Sequence, residues 1–341
     1  TGGCSPVWPL KTSKHSPDAK DLNVNFLFSF LLIALLLGIA GLYLYTLFIA
    51  KRVELGMPPE GSFITIMGNR IHYVEQGSGP DTILLIHGLT GVVQNFGYGL
   101  IDELAKTHRV IAIDRPGSGY SVRPDSASAS LTVQADVVAG VIDALGLGRP
   151  LLVGHSLGGA VSLATALRHP DKVRGLALIA PLTHMPSHVS DAFAALTIRY
   201  NWLRKLVGWT LAVPLSIRKR EQVLGVVFGP EQAPKDFPIR GGGLLGLRPS
   251  HFIAASRDLT ALEEVLPQMQ QRYDDLQLPI GILYGRDDRI LNPQEQGQTL
   301  ADRLDNVELT LIEGGHMLPI TQPEACLTFI RARLQAIPAA A

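Results

Sequence analysis

Cysteine is nearly absent: Cys4, near the N-terminus, and Cys326, in a helical pattern near the C-terminus, are the only two in 341 residues. A disulfide scaffold is therefore excluded, and the redox compartment stays open. Net charge is missing as well, because 30 Lys and Arg balance 30 Asp and Glu. That balance excludes the basic excess a nucleic-acid-binding surface needs. No H-E-x-x-H or comparable metal-ligand spacing occurs, and Gly241-Gly242-Gly243 does not run into Gly-Lys-Ser/Thr. Neither a metal nor a cofactor is expected, and nothing indicates a protein partner. No methionine precedes Thr1, so the natural start is expected upstream.

What is abundant is apolar surface, at 46% of residues, with a positive mean hydropathy. The excess has a location. From Phe26 to Ala50 there are 25 residues without a charge, which as a helix span about 37 Å against a bilayer core of about 30 Å. Lys51-Arg52 closes the run, and Tyr43 and Tyr45 lie toward that end as interface anchors do. A buried core helix would need polar positions at helical spacing, and only Ser29 and Thr46 are available. The expectation is a single-pass N-terminal membrane anchor over residues 26–50. A cleaved signal peptide is the alternative, with Gly38-Ile39-Ala40 as the small-x-small site, but the apolar run continues past it. Orientation is unspecified, since Lys11, Lys14 and Lys20 face Lys51 and Arg52 across the run. The polar segment 1–25 is expected to be disordered, and 51–62, with Pro58-Pro59, to be a linker.

Past the linker, Phe63–Ile66 and Arg70–Val74 flank Gly68-Asn69, which predicts a hairpin. Strands and helices then alternate: a strand at Thr82–Ile86, a helix at Phe96–Lys106, a strand at Val110–Ile113, a helix at Thr132–Leu145, a strand at Leu151–Val153, a helix at Ser156–Arg168 and a strand at Val173–Ile179. Purely aliphatic strands between helices imply a mostly parallel sheet covered on both faces. The alternation stops at Pro181. Residues 182–260 read as helical pieces carrying Phe193, Tyr200, Trp202, Trp209 and Phe228, an inserted cap, and the core is 63–181 with 261–341. The cap has ten Arg or Lys between Thr183 and Arg257 against four acids. That excess fits a solvated helix face, and it also fits a cap leaning on an anionic membrane beside the apolar run. Beyond the cap come a strand at Ile280–Tyr284, a helix at Pro293–Leu304, a strand at Val307–Ile312 and a helix at Pro323–Ala336.

Gly154-His155-Ser156-Leu157-Gly158 joins a strand to a helix and fits G-x-S-x-G, a turn so sharp that the serine hydroxyl projects from it. The string alone is common, so its neighbours decide. A serine nucleophile needs a general base, and imidazole has the suitable pKa. Of ten histidines, His316 follows a strand in the Gly-flexible loop Glu313-Gly314-Gly315-His316, at the sheet edge where Ser156 falls. His155 and His87 read as structural, and His184, His188 and His251 lie in the cap, where surface exposure is expected. An acid must orient the base. The strand Ile280–Tyr284 ends in Gly285-Arg286-Asp287-Asp288, offering two carboxylates at that edge. An oxyanion hole, worth about 3–4 kcal/mol per donor, is expected from the N–H groups of Leu157 and of Leu89 in His87-Gly88-Leu89.

In this order, His87-Gly88, Asp114-Arg115-Pro116-Gly117-Ser118-Gly119, Gly154-His155-Ser156-Leu157-Gly158-Gly159, Gly285-Arg286-Asp287-Asp288 and Gly315-His316 resemble the α/β-hydrolase superfamily, in its single-cap branch of esterases, lipases and relatives. The resemblance covers roughly Phe63 to Ile337. It implies an α/β-hydrolase fold, assigns the triad acid to Asp288 with Asp287 as the alternative, and makes Arg115 a salt-bridge candidate near the site. Dehalogenases and epoxide hydrolases of this fold use an Asp nucleophile, which Ser156 excludes. The expectation is a membrane-anchored serine hydrolase cleaving a small hydrophobic ester or acyl-lipid through an acyl-enzyme. C–C bond hydrolysis and cofactor-free haloperoxidase or perhydrolase chemistry by the same triad, and a non-catalytic membrane-bound scaffold, are the alternatives.

Overall fold

The computed structural model describes residues 1–3, 19–188 and 190–337. Most of the polar N-terminal segment, with Cys4 and the disorder expected there, lies outside them. Helix α1 runs Ala19–Gly56, so the expected linker begins as helix and only Met57 onward leaves it. Its stretch Asn25–Gly56, 32 residues, is long and apolar enough to cross a membrane. The chain divides into two compact units, residues 1–44 and 45–341. The last turns of α1 therefore belong to the second unit, described next.

Eight strands form one sheet: β1 (Ser62–Ile66), β2 (Asn69–Gln76), β3 (Thr82–Ile86), β4 (Arg109–Ile113), β5 (Leu151–His155), β6 (Gly175–Ile179), β7 (Ile280–Gly285) and β8 (Val307–Ile312), in spatial order β1-β2-β4-β3-β5-β6-β7-β8. β1 and β2 are antiparallel to each other, as are β2 and β4, and every pairing from β4 to β8 is parallel. The expected hairpin is present, one residue out of place. Ile66 pairs with Asn69, so the turn is Met67-Gly68, both at positive φ (49° and 76°), as a two-residue type I′ loop requires. Asn69 belongs to β2 and donates its side-chain amide to the Ile66 and Met67 carbonyls.

The aliphatic strands divide their side chains between two cores. In β3, Leu84 and Ile86 join Ile111 and Ile113 of β4 under α3 (Leu131–Ala144) and α4 (Leu157–Arg168). Ile83 and Leu85 face the other way, with Val110, Ala112 and Val153, toward α2 (Leu100–Ala105) and α10 (Pro323–Ala336). The helix expected at Phe96–Lys106 is broken: a 3₁₀ turn covers Val93–Phe96, and α2 starts after Gly99 at φ 116°.

The segment after β6 carries α5 (Asn201–Thr210), α6 (Ala212–Val227) and α7 (Pro249–Gln271). α7 passes through residue 260, where the cap was expected to end. Its first half belongs to the cap, while Leu262, Leu266 and Met269 enter the main core. The helix expected at Pro293–Leu304 begins as a π turn, Gln294–Gln298, before α8 (Thr299–Arg303). The cause is visible at Gln296, whose buried amide oxygen accepts from the Thr183 and His184 N–H groups at 2.8 and 2.9 Å. The extra residue in the turn aims that side chain at the segment that enters the cap. α9 (Leu318–Thr321) is one short turn before α10.

On β2, buried His72 bonds Asp114 through Nδ1 at 2.7 Å and the Glu60 carbonyl through Nε2. Burial works against its charge, but the hydrogen bond and charge of Asp114 outweigh it and raise the His72 pKa above the usual 6.5. A raised pKa in the folded state stabilises the fold fully below about 6.5 and ceases to do so as pH climbs through the folded value. The melting-temperature difference between the natural chain and His72→Gln is therefore expected to be larger at pH 5.5 than at pH 8.5, as differential scanning calorimetry would show.

Candidate active site

Ser156 sits between β5 and α4 with φ 54° and ψ −122°, a conformation an L-residue adopts only under constraint. Its carbonyl accepts from the Gly159 and Leu182 N–H groups at 2.8 and 3.0 Å. Glycine on either side is a matter of space. A Cβ on Gly154 would lie 2.5 Å from the Gly158 carbonyl oxygen, and one on Gly158 would lie 2.0 Å from that of Ile86.

His316, after β8, and Asp288, after β7, meet directly: Nδ1 of the imidazole donates to Oδ2 of Asp288 at 2.7 Å. The other oxygen, Oδ1, accepts from the Ile290 and Leu291 N–H groups at 2.8 and 3.0 Å, so the carboxylate is fixed at both ends. Asp287 is exposed, and among the described residues its carboxylate makes no hydrogen bond. Of the two acids, Asp288 is the one brought to the imidazole. No hydrogen bond joins the Ser156 hydroxyl to His316 among the described residues. Such bonds are commonly long in ligand-free sites and tighten with substrate.

Two further groups hold the His316 loop. His155, next to the serine, donates Nε2–H to the His316 carbonyl at 3.0 Å. Burial, and then the nearby His316, push the His155 pKa down to about 3. It therefore stays neutral and serves as a strut. Glu231, in the cap segment, accepts from the Gly315 N–H at 3.0 Å.

The loop His87–Leu89 is held more tightly still. His87 is buried, and burial with the Arg115 charge keeps its pKa well below the usual range. Its neutral tautomer is fixed by both nitrogens: Nε2 accepts from the Arg115 N–H at 3.0 Å, and Nδ1 donates to the Gly88 carbonyl at 2.8 Å. The Arg115 guanidinium, 1% exposed, donates to the carbonyls of His87 at 2.9 Å and Gly88 at 2.8 Å. A peptide's C=O and N–H point in opposite directions. Pinning the Gly88 carbonyl thus also sets the direction of the Leu89 N–H. That N–H and the Leu157 N–H at the start of α4 donate to no protein group among the described residues, and their two residues line one cavity with Ser156.

Arg115 is anchored in turn by Asp258 of α7, 2.6 Å away, which also accepts from Arg123 at 2.5 Å, all three being buried. From the same helix, His251 bonds the Thr90 carbonyl at 3.0 Å. His251 is thus buried, contrary to the surface position expected of it, because α7 lies directly against the loop. His184 is half-buried beside Thr183, and only His188 is exposed as expected.

The cavity at Ser156 has a volume of about 60 Å³, walled by Leu89, Leu157, Leu182, Phe193 and Leu259. Outside it lies a polar vestibule of about 380 Å³, reached past Pro186, His188 and Ile290 and bordered by Asp288, Arg286, Arg289 and Glu295. Such a set can move a proton from a hydroxyl, hold an imidazolium against a carboxylate and bind a developing oxyanion.

Among the described residues, Asp258 is the only carboxylate ion-paired with the two buried guanidinium groups. Asp258→Ala is expected to lower the unfolding free energy by about 3–5 kcal/mol, to be measured by urea denaturation. A loss below about 1 kcal/mol would mean that the carbonyls alone satisfy both arginines.

Comparison with known proteins agrees with this geometry. A family described as alpha/beta hydrolase fold matches residues 81–323. A 2-hydroxy-6-oxononadienedioate/2-hydroxy-6-oxononatrienedioate hydrolase of Burkholderia vietnamiensis is 30% identical over 245 residues, covering 70% of this chain and 82% of its own. The 2-hydroxymuconate semialdehyde hydrolase of Pseudomonas sp. is 42% identical over 124 residues, covering 36% of this chain and 44% of its own. Among solved structures, a bacterial membrane phospholipase A superposes with a TM-score of 0.65 at 26% identity, covering 92% of this chain and 97% of that one. With the sheet order, the serine turn and the family match in agreement, the chain belongs to the α/β-hydrolase fold family and is a hydrolase.

Proposed function

We propose that the chain is a membrane-anchored serine hydrolase that cleaves carboxylic esters with an apolar acyl portion. The observation that carries the reading is the cavity at Ser156, whose walls are mostly apolar and include both residues with unengaged N–H groups, Leu89 and Leu157. His316 Nε2 removes the Ser156 proton as Oγ attacks the ester carbonyl, and Asp288 stabilises the imidazolium through Nδ1. The oxyanion is held by the Leu89 and Leu157 N–H groups. Collapse of the tetrahedral intermediate breaks the C–O bond, and His316 passes its proton to the departing alkoxide. Water then attacks the acyl-enzyme by the same route, releasing the acid and restoring the serine hydroxyl. At about 60 Å³ the cavity is smaller than the ~150 Å³ that accommodates benzene, so this conformation takes a short acyl group. A longer chain requires Phe193 and Leu259 to move.

C–C bond hydrolysis is the second reading, favoured by the names of the two curated relatives. The first of those names is a dioate, with two carboxylates, and a site for it calls for cations beside the nucleophile. Here Arg286 and Arg289 border the vestibule, and none lines the inner cavity. Support for the anchor comes from the apolar stretch Asn25–Gly56 and from the resemblance to a protein called a membrane phospholipase.

Fluorophosphonate labelling and turnover of p-nitrophenyl butyrate test the site together. Ser156→Ala is expected to abolish labelling and to lower turnover by about 10⁴–10⁶-fold, and Asp288→Asn by about 10⁴-fold, whereas Asp287→Asn stays within about twofold. Arg115→Lys keeps the charge but not the two-carbonyl fork, and a loss of roughly 10–100-fold in kcat with little change in KM is expected. Equal labelling of Ser156→Ala and the natural chain would refute the nucleophile. Labelling without turnover of any ester in a chain-length series, together with cleavage of a vinylogous diketone, would establish the C–C reading instead.

A further inference from the structure

The cap carries a surface that ester hydrolysis at Ser156 does not use. α5 and α6 meet at Leu211, and their inner faces are buried at Arg204, Gly208, Thr210, Ala212 and Val213. Their outer faces are apolar: Trp202 and Leu206 are 66% and 43% exposed, Leu211 and Leu215 43% and 46%. Each pair is four residues apart and so shares one side of its helix. Arg218 and Lys219 follow Leu215 by three and four residues, on the same side, and with Arg220 they form an exposed cationic patch. None of these three cations is ion-paired among the described residues. Adjacent large apolar side chains backed by unpaired cations make the pattern of a helix lying in a membrane interface.

The position of α1 says what covers this surface. Thr46 is fully buried, and its hydroxyl donates to the carbonyl of Thr210, the last residue of α5, at 3.3 Å. Thr46 lies inside the uncharged run 26–50, about 6 Å of helix before its end at Ala50. If that run spans a bilayer, whatever touches Thr46 sits at the bilayer's edge, and Thr210 lies between the two exposed pairs. Resting on the anchor reading above, we infer that the α5–α6 elbow is a second membrane contact. It seats Trp202, Leu206, Leu211 and Leu215 among acyl chains and Arg218, Lys219 and Arg220 against anionic headgroups. The cap that walls the Ser156 cavity is thereby set against a source of acyl-lipid.

The test uses the full chain reconstituted in vesicles of phosphatidylcholine and phosphatidylglycerol. In a Trp8→Phe/Trp209→Phe background, Trp202 is the remaining tryptophan. Its emission is expected to be quenched by acyl-brominated lipid and shielded from aqueous acrylamide. Quenching by acrylamide without quenching by the brominated lipid overturns the inference, and so does shielding from both, which would mean that protein covers the elbow. Flotation separates this from the anchor reading. A chain that floats with vesicles after carbonate washing while Trp202 remains in water keeps its anchor and loses only the cap contact, whereas a chain that does not float overturns both. In the otherwise natural chain, Leu206→Asp/Leu215→Asp is expected to lower hydrolysis of a vesicle-embedded ester roughly tenfold and to leave the rate on a soluble butyrate unchanged. Equal loss on both substrates, or on neither, would overturn the inference.

Discussion

The backbone at Ser156 is held at φ 54°, and most of the structure can be traced to keeping it there. Strain of that kind costs on the order of 1–3 kcal/mol and persists only where the surroundings over-determine it. β5 supplies the constraint from one side, because its neighbours β3 and β6 are parallel and it has no freedom to shift register. α4 supplies it from the other, through a buried first turn that packs against the Ile86 carbonyl. The sheet is thus less a container for a core than a vice for one residue. Because the turn lies at the carboxyl ends of parallel strands, the loops after β3, β7 and β8 emerge at the same edge.

A second dependency links the cap to the chemistry. Asp258 and His251 come from α7, and both reach the loop that carries Leu89: one through Arg115 to the Gly88 carbonyl, the other through the Thr90 carbonyl. α7 is also a core helix over its second half. A cap fastened this way does not swing as a rigid flap about two hinges. The part free to move is the one without buried side-chain polar ties, the 3₁₀ turn at Asp191–Leu196 that carries Phe193, whereas α5 is tied through Arg204 to Ser256 of α7 and through the Thr210 carbonyl to Thr46. Access to Ser156 and the setting of the loop that carries Leu89 are therefore assigned to different parts of the same insertion.

Local chemistry made much of this readable in advance. Aliphatic strands between helices specified the parallel sheet, the residues themselves pointed to Ser156, His316 and the pair Asp287-Asp288, and the family resemblance singled out Asp288. The features that escaped are those whose cause lies far away in sequence. Arg115 and Asp258 are 143 residues apart, and Glu231 reaches Gly315 across 84, so no local pattern marks either pair. The π turn at Gln294–Gln298 answers to Thr183, and the break before α2 to the glycines at 97 and 99. At the hairpin, Met67 takes a positive φ that glycine or asparagine would ordinarily fill, because the register of β1 on β2 leaves it no other place. Composition suggested a linker from residue 51. The helix continues because Val53 has a partner in Val92 that composition could not reveal.

That last contact bears on how separable the chain is. Ile49, Val53 and Met57 share an apolar cluster with Val92 and Leu245, Glu54 pairs with Arg248, and the Tyr120 hydroxyl donates to the Met57 carbonyl. Val92 is three positions from Leu89. The end of the hydrophobic helix is therefore also a wall of the enzyme, so trimming the chain at the edge of its greasy segment would open an apolar hole beside the loop that carries Leu89. Substituting a generic anchor would do the same unless it kept side chains of matching shape at 49, 53 and 57.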